Sequence, residues 1–163
     1  VGPGSVKLTQ ADRFDLDFIM QHLLALREYS PAAQMKYTDP EYARTNLDQM
    51  LRAGSGWWCG NYFILVSVGG PWHSPTKFLI EEIILKCGPG PTKVTDAIAS
   101  LDELATMHGC EATIVGDTQI GYMTPLYHAA GYTTLGTQLM KEHHYGRSTE
   151  VDRGQQADRS ERA

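Results

Sequence analysis

The run FLIEEIILK (Phe78 to Lys86), followed at once by CGPGPTK (Cys87 to Lys93), constrains the chain more than any other feature. An unbroken stretch rich in isoleucine and other apolar residues makes a strand, and the prolines and glycines after it stop that strand. Val94, Ala97, Ile98, Leu101, Leu104 and Ala105 then recur at helical spacing as far as His108-Gly109, where glycine takes the C′ position. A helix that opens from such a turn leaves amide donors unpaired and carries partial positive charge, and glycine lets an anion approach. Pro89 and Pro91 have no amide hydrogen, so the donors are the amides of Gly88, Gly90, Thr92, Lys93 and Val94, with the Thr92 hydroxyl and the Lys93 ammonium beside them. A tight turn stiffened by proline, with Lys93 in solvent, accounts for the same residues without a ligand.

The rest of the chain alternates helix and strand signals. A short strand is expected over Val6 to Leu8, with Thr9 capping a helix whose apolar positions are Phe14, Phe18, Ile19, Leu23 and Leu26 and which ends at Ser30-Pro31. After a loop from Ala32 to Thr38, Asp39-Pro40-Glu41 sets an N-cap, an N1 proline and a first-turn acid ahead of Ala43, Leu47, Met50 and Leu51; Gly54 closes this second helix. Trp57 to Cys59, Tyr62 to Val68 and Lys77 to Cys87 read as three strands of an antiparallel meander. Behind the third helix come a buried strand, Cys110 to Val115, a short helix from Thr124 to Ala130 closed by Gly131, and a return strand from Tyr132 to His143, whole or bent at Gly136. The order predicts an α/β chain, a mixed antiparallel and parallel sheet flanked by helices.

Composition narrows the class. The 163 residues suit one domain, expected over residues 6–145. Val1 to Ser5 lacks an initiator methionine and is set aside as a processed or expression-derived end. Gly146 to Ala163 holds four arginines against four acids and a single valine, a neutral tail too poor in apolar area to fold alone. The longest apolar run, Tyr62 to Val66, is far short of a membrane span. Cys59, Cys87 and Cys110 form no Cys-x-x-Cys pair, which fits a reducing, cytoplasmic setting without a disulfide framework or zinc site, and His73 and His143-His144 lack ligand spacing, so no metal is expected. A net charge of −5 argues against a binder of nucleic acid that works by neutralising phosphates.

Set in this order, Glu81-Glu82 followed by Ile83-Ile84-Leu85, the turn from Cys87 to Thr92, and Leu126-Tyr127-His128-Ala129-Ala130-Gly131-Tyr132 make the chain resemble a GNAT-type N-acetyltransferase, over roughly Leu8 to His143. The resemblance implies acetyl-CoA, or another acyl-CoA, as co-substrate and a small-molecule or protein amine as acceptor, with direct transfer between them. It implies that Ile83, Ile84 and Leu85 offer backbone groups to the pantetheine arm and that Cys87, Gly88, Gly90, Thr92 and Lys93 seat the phosphates. It gives Tyr127 the role of acid toward the leaving thiolate and a strand glutamate that of base, Glu82 first and Glu81 second. The two acids alternate faces, so only one points into a given cleft. Cys87 stands where the family has Arg or Gln, the prolines remove donors, and Gln119 to Pro125 lacks the family's frequent Asn. An eroded module of the same shape, acting through protein partners, is therefore the competing expectation.

Each candidate also has a plainer explanation. Glu82 or Glu81 can bond Lys77 or Lys86 across the sheet, Tyr127 can be an amphipathic core residue, and Cys87 can be a small apolar filler rather than a thiolate favoured by a helix N-terminus. Trp57, Trp58 and Trp72 either line a pocket or belong to the core. The acidic balance favours a cationic acceptor such as an aminoglycoside, a polyamine, lysine or an amino-modified nucleotide. No membrane partner is expected, and a homodimer is compatible with the sequence.

Overall fold

The computed structural model describes residues 6–30, 33–117 and 122–143. They belong to two units, one ending at Thr133 and one beginning at Thr134. In the first, β1 (Leu8–Gln10), α1 (Leu16–Tyr29), α2 (Pro40–Arg52), β2 (Gly56–Cys59), β3 (Tyr62–Gly69), β4 (Phe78–Lys86), α3 (Val94–Met107), β5 (Ala112–Ile114) and α4 (Thr124–Ala129) follow in order. The strands form one sheet in the order β1-β2-β3-β4-β5, antiparallel up to β4 and parallel between β4 and β5. The sheet is therefore mixed, as expected.

Side-chain alternation sorts the core into two layers. On one face Phe63, Leu65 and Leu85 meet Leu16, Ile19 and Met20 of α1 and Leu47 and Leu51 of α2. On the other, Tyr62, Ile64, Val66 and Leu79 meet Ala97, Leu101 and Leu104 of α3. Ile19, Ile64, Leu79, Leu101 and Leu104 are essentially sealed from solvent, and truncating one such leucine to alanine costs about 2–5 kcal/mol.

The helix ends follow the sequence signals. The Asp39 carboxylate accepts the Tyr42 amide, with Pro40 in the first turn of α2. Both α3 and α4 close in the left-handed glycine motif: Cys110 N donates to Ala105 O across Gly109, and Tyr132 N to Tyr127 O across Gly131.

One irregularity lies in the middle of the sheet. Leu65 pairs with Ile83 and Val66 with Glu81, so Glu82 is an extra residue in β4 with no opposite number in β3. Such a bulge shifts the side-chain alternation by one place. Leu79 packs on the α3 side, whereas Ile83 and Leu85, of the same parity, pack on the α1 and α2 side.

Several expectations need correction. The first strand is Leu8–Gln10, so Thr9 lies within it; Asp12 caps the next turn instead, accepting the Phe14 amide while its own amide donates to Asp15. Phe14 is exposed rather than core. The loop before α2 contains a 3-10 turn at Ala33–Tyr37. The fifth strand is a three-residue edge, half-exposed rather than buried. The return strand from Tyr132 to His143 does not form. The Tyr132 amide is spent on closing α4, and Leu135, Leu139 and Met140 stay exposed, so the stretch lacks the burial that turns strand propensity into a strand. Residues 1–5 and the tail from 146 lie outside the described residues, as does Gln119.

Candidate active site

The parallel pair is short. β4 and β5 are joined only at Phe78↔Ala112, Leu79↔Thr113 and Ile80↔Ile114, and from Glu81 to Lys86 no strand among the described residues covers that side of β4. The resulting opening starts at the two glutamates and ends at the turn into α3.

Glu81 sits at the start of the opening. It is half-buried, and the amide of Gly116, just past β5, donates to its Oε2 at 3.2 Å. Burial pushes its carboxyl up to about 7 from an ordinary value of 4.5; the Gly116 bond opposes the rise and the charge of Glu82 adds to it. Tyr127 is nearby on α4, only 5% exposed, with its ring edge-on to Tyr132 at 5.3 Å. Burial, then the charges of Glu81, Tyr132 and Asp117, push its phenol well above the ordinary tyrosine value, so it keeps its proton. Tyr132 is raised to about 12, chiefly by burial. The start of α4 is fixed by Asp117, whose Oδ2 accepts the amides of Met123 and Thr124 and the Thr124 hydroxyl. Neither Gly116 nor Asp117 carries a local sequence signal for the site; Tyr132 stands there only as the last residue of LYHAAGY, just after the helix-closing glycine.

Glu82 lies on the opposite face. It is exposed, accepts the Ser67 hydroxyl at 2.6 Å, and borders a cavity between α1, α2 and the sheet. Its partner is thus Ser67 of β3 rather than Lys77 or Lys86. Ser67 was missed because its meeting with Glu82 depends on the bulge.

The glycine-rich turn is fastened to the turn between β2 and β3. Cys87 N donates to Asn61 O at 2.8 Å, and Asn61 Nδ2 to Gly88 O at 2.9 Å. A Cβ on Gly90 would lie 2.7 Å from Asn61 Oδ1, and Thr92 packs its hydroxyl so closely on Gly60 that no side chain fits there. Among the described residues the amides of Gly88, Gly90 and Thr92 have no backbone acceptor, whereas that of Lys93 donates to Asp96 at 2.8 Å. The Lys93 side chain is exposed. Cys87 belongs to the core layer under α1 and α2, and burial pushes its thiol up to about 11, so it is a filler and no nucleophile. Ile83, Ile84 and Leu85 anchor β4 to the two core layers by their side chains.

The tryptophans divide. Trp58 packs beside Phe63 and donates to Asp15, Trp57 packs on the α3 side, and Trp72 is 97% exposed in the connection between β3 and β4, neither core nor pocket. Among the described residues no three His, Cys, Asp or Glu side chains gather as metal ligands, and no helix is long and apolar enough to cross a membrane.

No protein-family model and no curated protein matches the sequence. Solved structures do. A GCN5-related N-acetyltransferase from Ralstonia eutropha is 17% identical, with 85% of this chain aligned to 98% of that one at a TM-score of 0.63. A possible acetyltransferase from Clostridium difficile is 10% identical over 85% of this chain and 97% of that one, also at 0.63. A predicted acetyltransferase from Clostridium acetobutylicum, solved with acetyl-CoA, is 12% identical over 86% and 99%, at 0.61. The unpaired length of β4, the glycine-rich turn and the helix bearing Tyr127 are thus set in the fold of the GCN5-related N-acetyltransferases.

Proposed function

We propose that the chain is an acyl-CoA-dependent N-acyltransferase that moves an acetyl group from acetyl-CoA to a primary amine. The observation that carries this reading is that the β4–β5 pairing stops at Ile80↔Ile114 while β4 runs on to Lys86. A strand edge with no partner strand among the described residues, beside two carboxylates and leading to amides at Gly88, Gly90 and Thr92 with no backbone acceptor among those residues, suits an extended amide-bearing arm that ends in phosphates. Acetyl-CoA supplies the activated thioester. Glu82 takes the proton of the attacking amine, a β4 backbone amide polarises the thioester carbonyl, and Tyr127 returns a proton to sulfur as the carbon–sulfur bond breaks. Burial keeps the Tyr127 phenol protonated at neutral pH, as a donor to sulfur has to be. Glu81, poised near neutrality, is the second candidate for the base.

The competing reading, a module that has lost turnover, draws support from the same turn. Asp96 occupies the Lys93 amide and sets a carboxylate in the first turn of α3, where a phosphate would otherwise sit. Calorimetric titration with acetyl-CoA and desulfo-CoA separates the two. Micromolar affinity, lost by about 100-fold or more in Gly90→Val, supports the acyltransferase; no binding at millimolar ligand removes the turn from any phosphate role.

A further inference from the structure

The cavity beside Glu82 carries a statement about the acceptor. It measures about 220 Å³ and lies between α1, α2 and strands β3 and β4. Its wall is apolar, with Ile19, Leu23, Leu47, Met50 and Leu65 prominent, and only Asn46 and Glu82 bring polar side chains. We propose that the acceptor is a primary amine on an apolar body, an arylalkylamine or a medium-chain alkylamine, with the body in this cavity and the ammonium at Glu82.

Three observations lead there. A cavity of about 150 Å³ lined by aliphatic and aromatic side chains suffices to bind benzene, so this one admits a ring or a short alkyl chain. Glu82 is exposed and solvated while bordering the wall, and the Ser67 hydroxyl holds its Oε1, so the carboxylate presents a fixed negative end to an otherwise apolar slot. A polyamine or aminoglycoside would leave several ammonium or hydroxyl groups against Leu23, Leu47 and Met50 without partners, which disfavours them. The overall acidic charge attracts any cation, but the slot selects one with a single charge and a greasy body.

The inference rests on the acyltransferase reading, and binding separates the two. Acetyl-CoA is titrated alone; then 2-phenylethylamine, hexylamine, 2-phenylethanol, spermidine and kanamycin are titrated into the protein, with methyl NMR following Met50 and Leu23. The expected result is that 2-phenylethylamine and hexylamine bind at least about tenfold tighter than spermidine or kanamycin and shift the Met50 methyl signal. Ala43→Phe, which fills the slot, should remove that preference with acetyl-CoA affinity unchanged. In Glu82→Gln the amine should weaken while 2-phenylethanol does not. Equal or tighter binding of spermidine or kanamycin, no detectable binding of 2-phenylethylamine, or an unmoved Met50 signal overturns the proposal, whether or not Ala43→Phe folds. Failure of acetyl-CoA to bind overturns the acyltransferase reading instead, and the amine titration still reports on the slot.

Discussion

Glu81 and Glu82 share a chemistry and a peptide bond, yet β4 delivers them into opposite surroundings. On the side of Tyr127 and Tyr132, Glu81 is half-buried, bonded to a backbone amide and raised to about 7. On the side of α1 and α2, Glu82 is exposed, bonded to a hydroxyl and set at the mouth of an apolar slot. One face is closed, aromatic and sparing with charge; the other is open and offers a charge to whatever enters. Environment rather than residue type separates the two neighbouring carboxylates.

The largest effect should come from the closed face. Tyr127→Phe is expected to lower kcat by about 10²–10⁴-fold with acetyl-CoA affinity preserved, as measured by steady-state kinetics and calorimetry. An unaltered kcat would reduce that face to packing.

The open face comes next. Glu82→Gln should cost about 10²-fold in kcat, and more than Glu81→Gln under the same assay; the reverse order would exchange the roles of the two faces.

The third test needs no substrate. Glu81 has a folded-state value above its unfolded one, so the folded chain holds that proton more tightly. The stabilisation is fully present below about 4.5 and is lost as pH rises through about 7. At about 1.4 kcal/mol per pH unit, the interval from 4.5 to about 7 amounts to roughly 3–4 kcal/mol. Urea melts across this window should show wild-type stability falling, and Glu81→Gln should flatten the slope; a wild-type curve without it would mean that Glu81 is hydrated.

The smallest effect belongs to Ser67→Ala. Removing one hydroxyl from an exposed carboxylate should change stability by less than about 1 kcal/mol and raise the amine KM by less than about tenfold. A larger loss would show that the open face is as ordered as the closed one.

How much of this was legible beforehand depended on whether the signal was local. Asp39-Pro40, the strand-turn-helix run and the glycine after LYHAA each state their structure within a few residues, and all three formed. That Glu81 and Glu82 face opposite ways followed from alternation. The bulge that sets Glu82 on the same face as Ile83 did not, because it is a property of the register with β3 and not of β4 alone. The slot was hidden for a related reason: Ile19, Leu23, Leu47 and Met50 read as ordinary helix stripes, and only the distance between helices and sheet leaves space among them. Thr9 misled because a capping residue and a strand residue look alike until the sheet claims one of them. Tyr132 to His143 misled because β-branched residues promise a strand that only a buried face makes stable.

The length of β4 that runs on past β5 has a colloidal side as well. A bare edge is the usual template by which one chain recruits the next into a fibre, and proteins guard such edges with charges, kinks and prolines. From Glu81 onward β4 has all three: acidic side chains at its start, an inserted residue that breaks the flat ladder, and Pro89 and Pro91 just past its end. Such features discourage pairing with another protein strand. Any arm that hydrogen-bonds there closes the ladder, so solubility on storage should improve as that groove is filled.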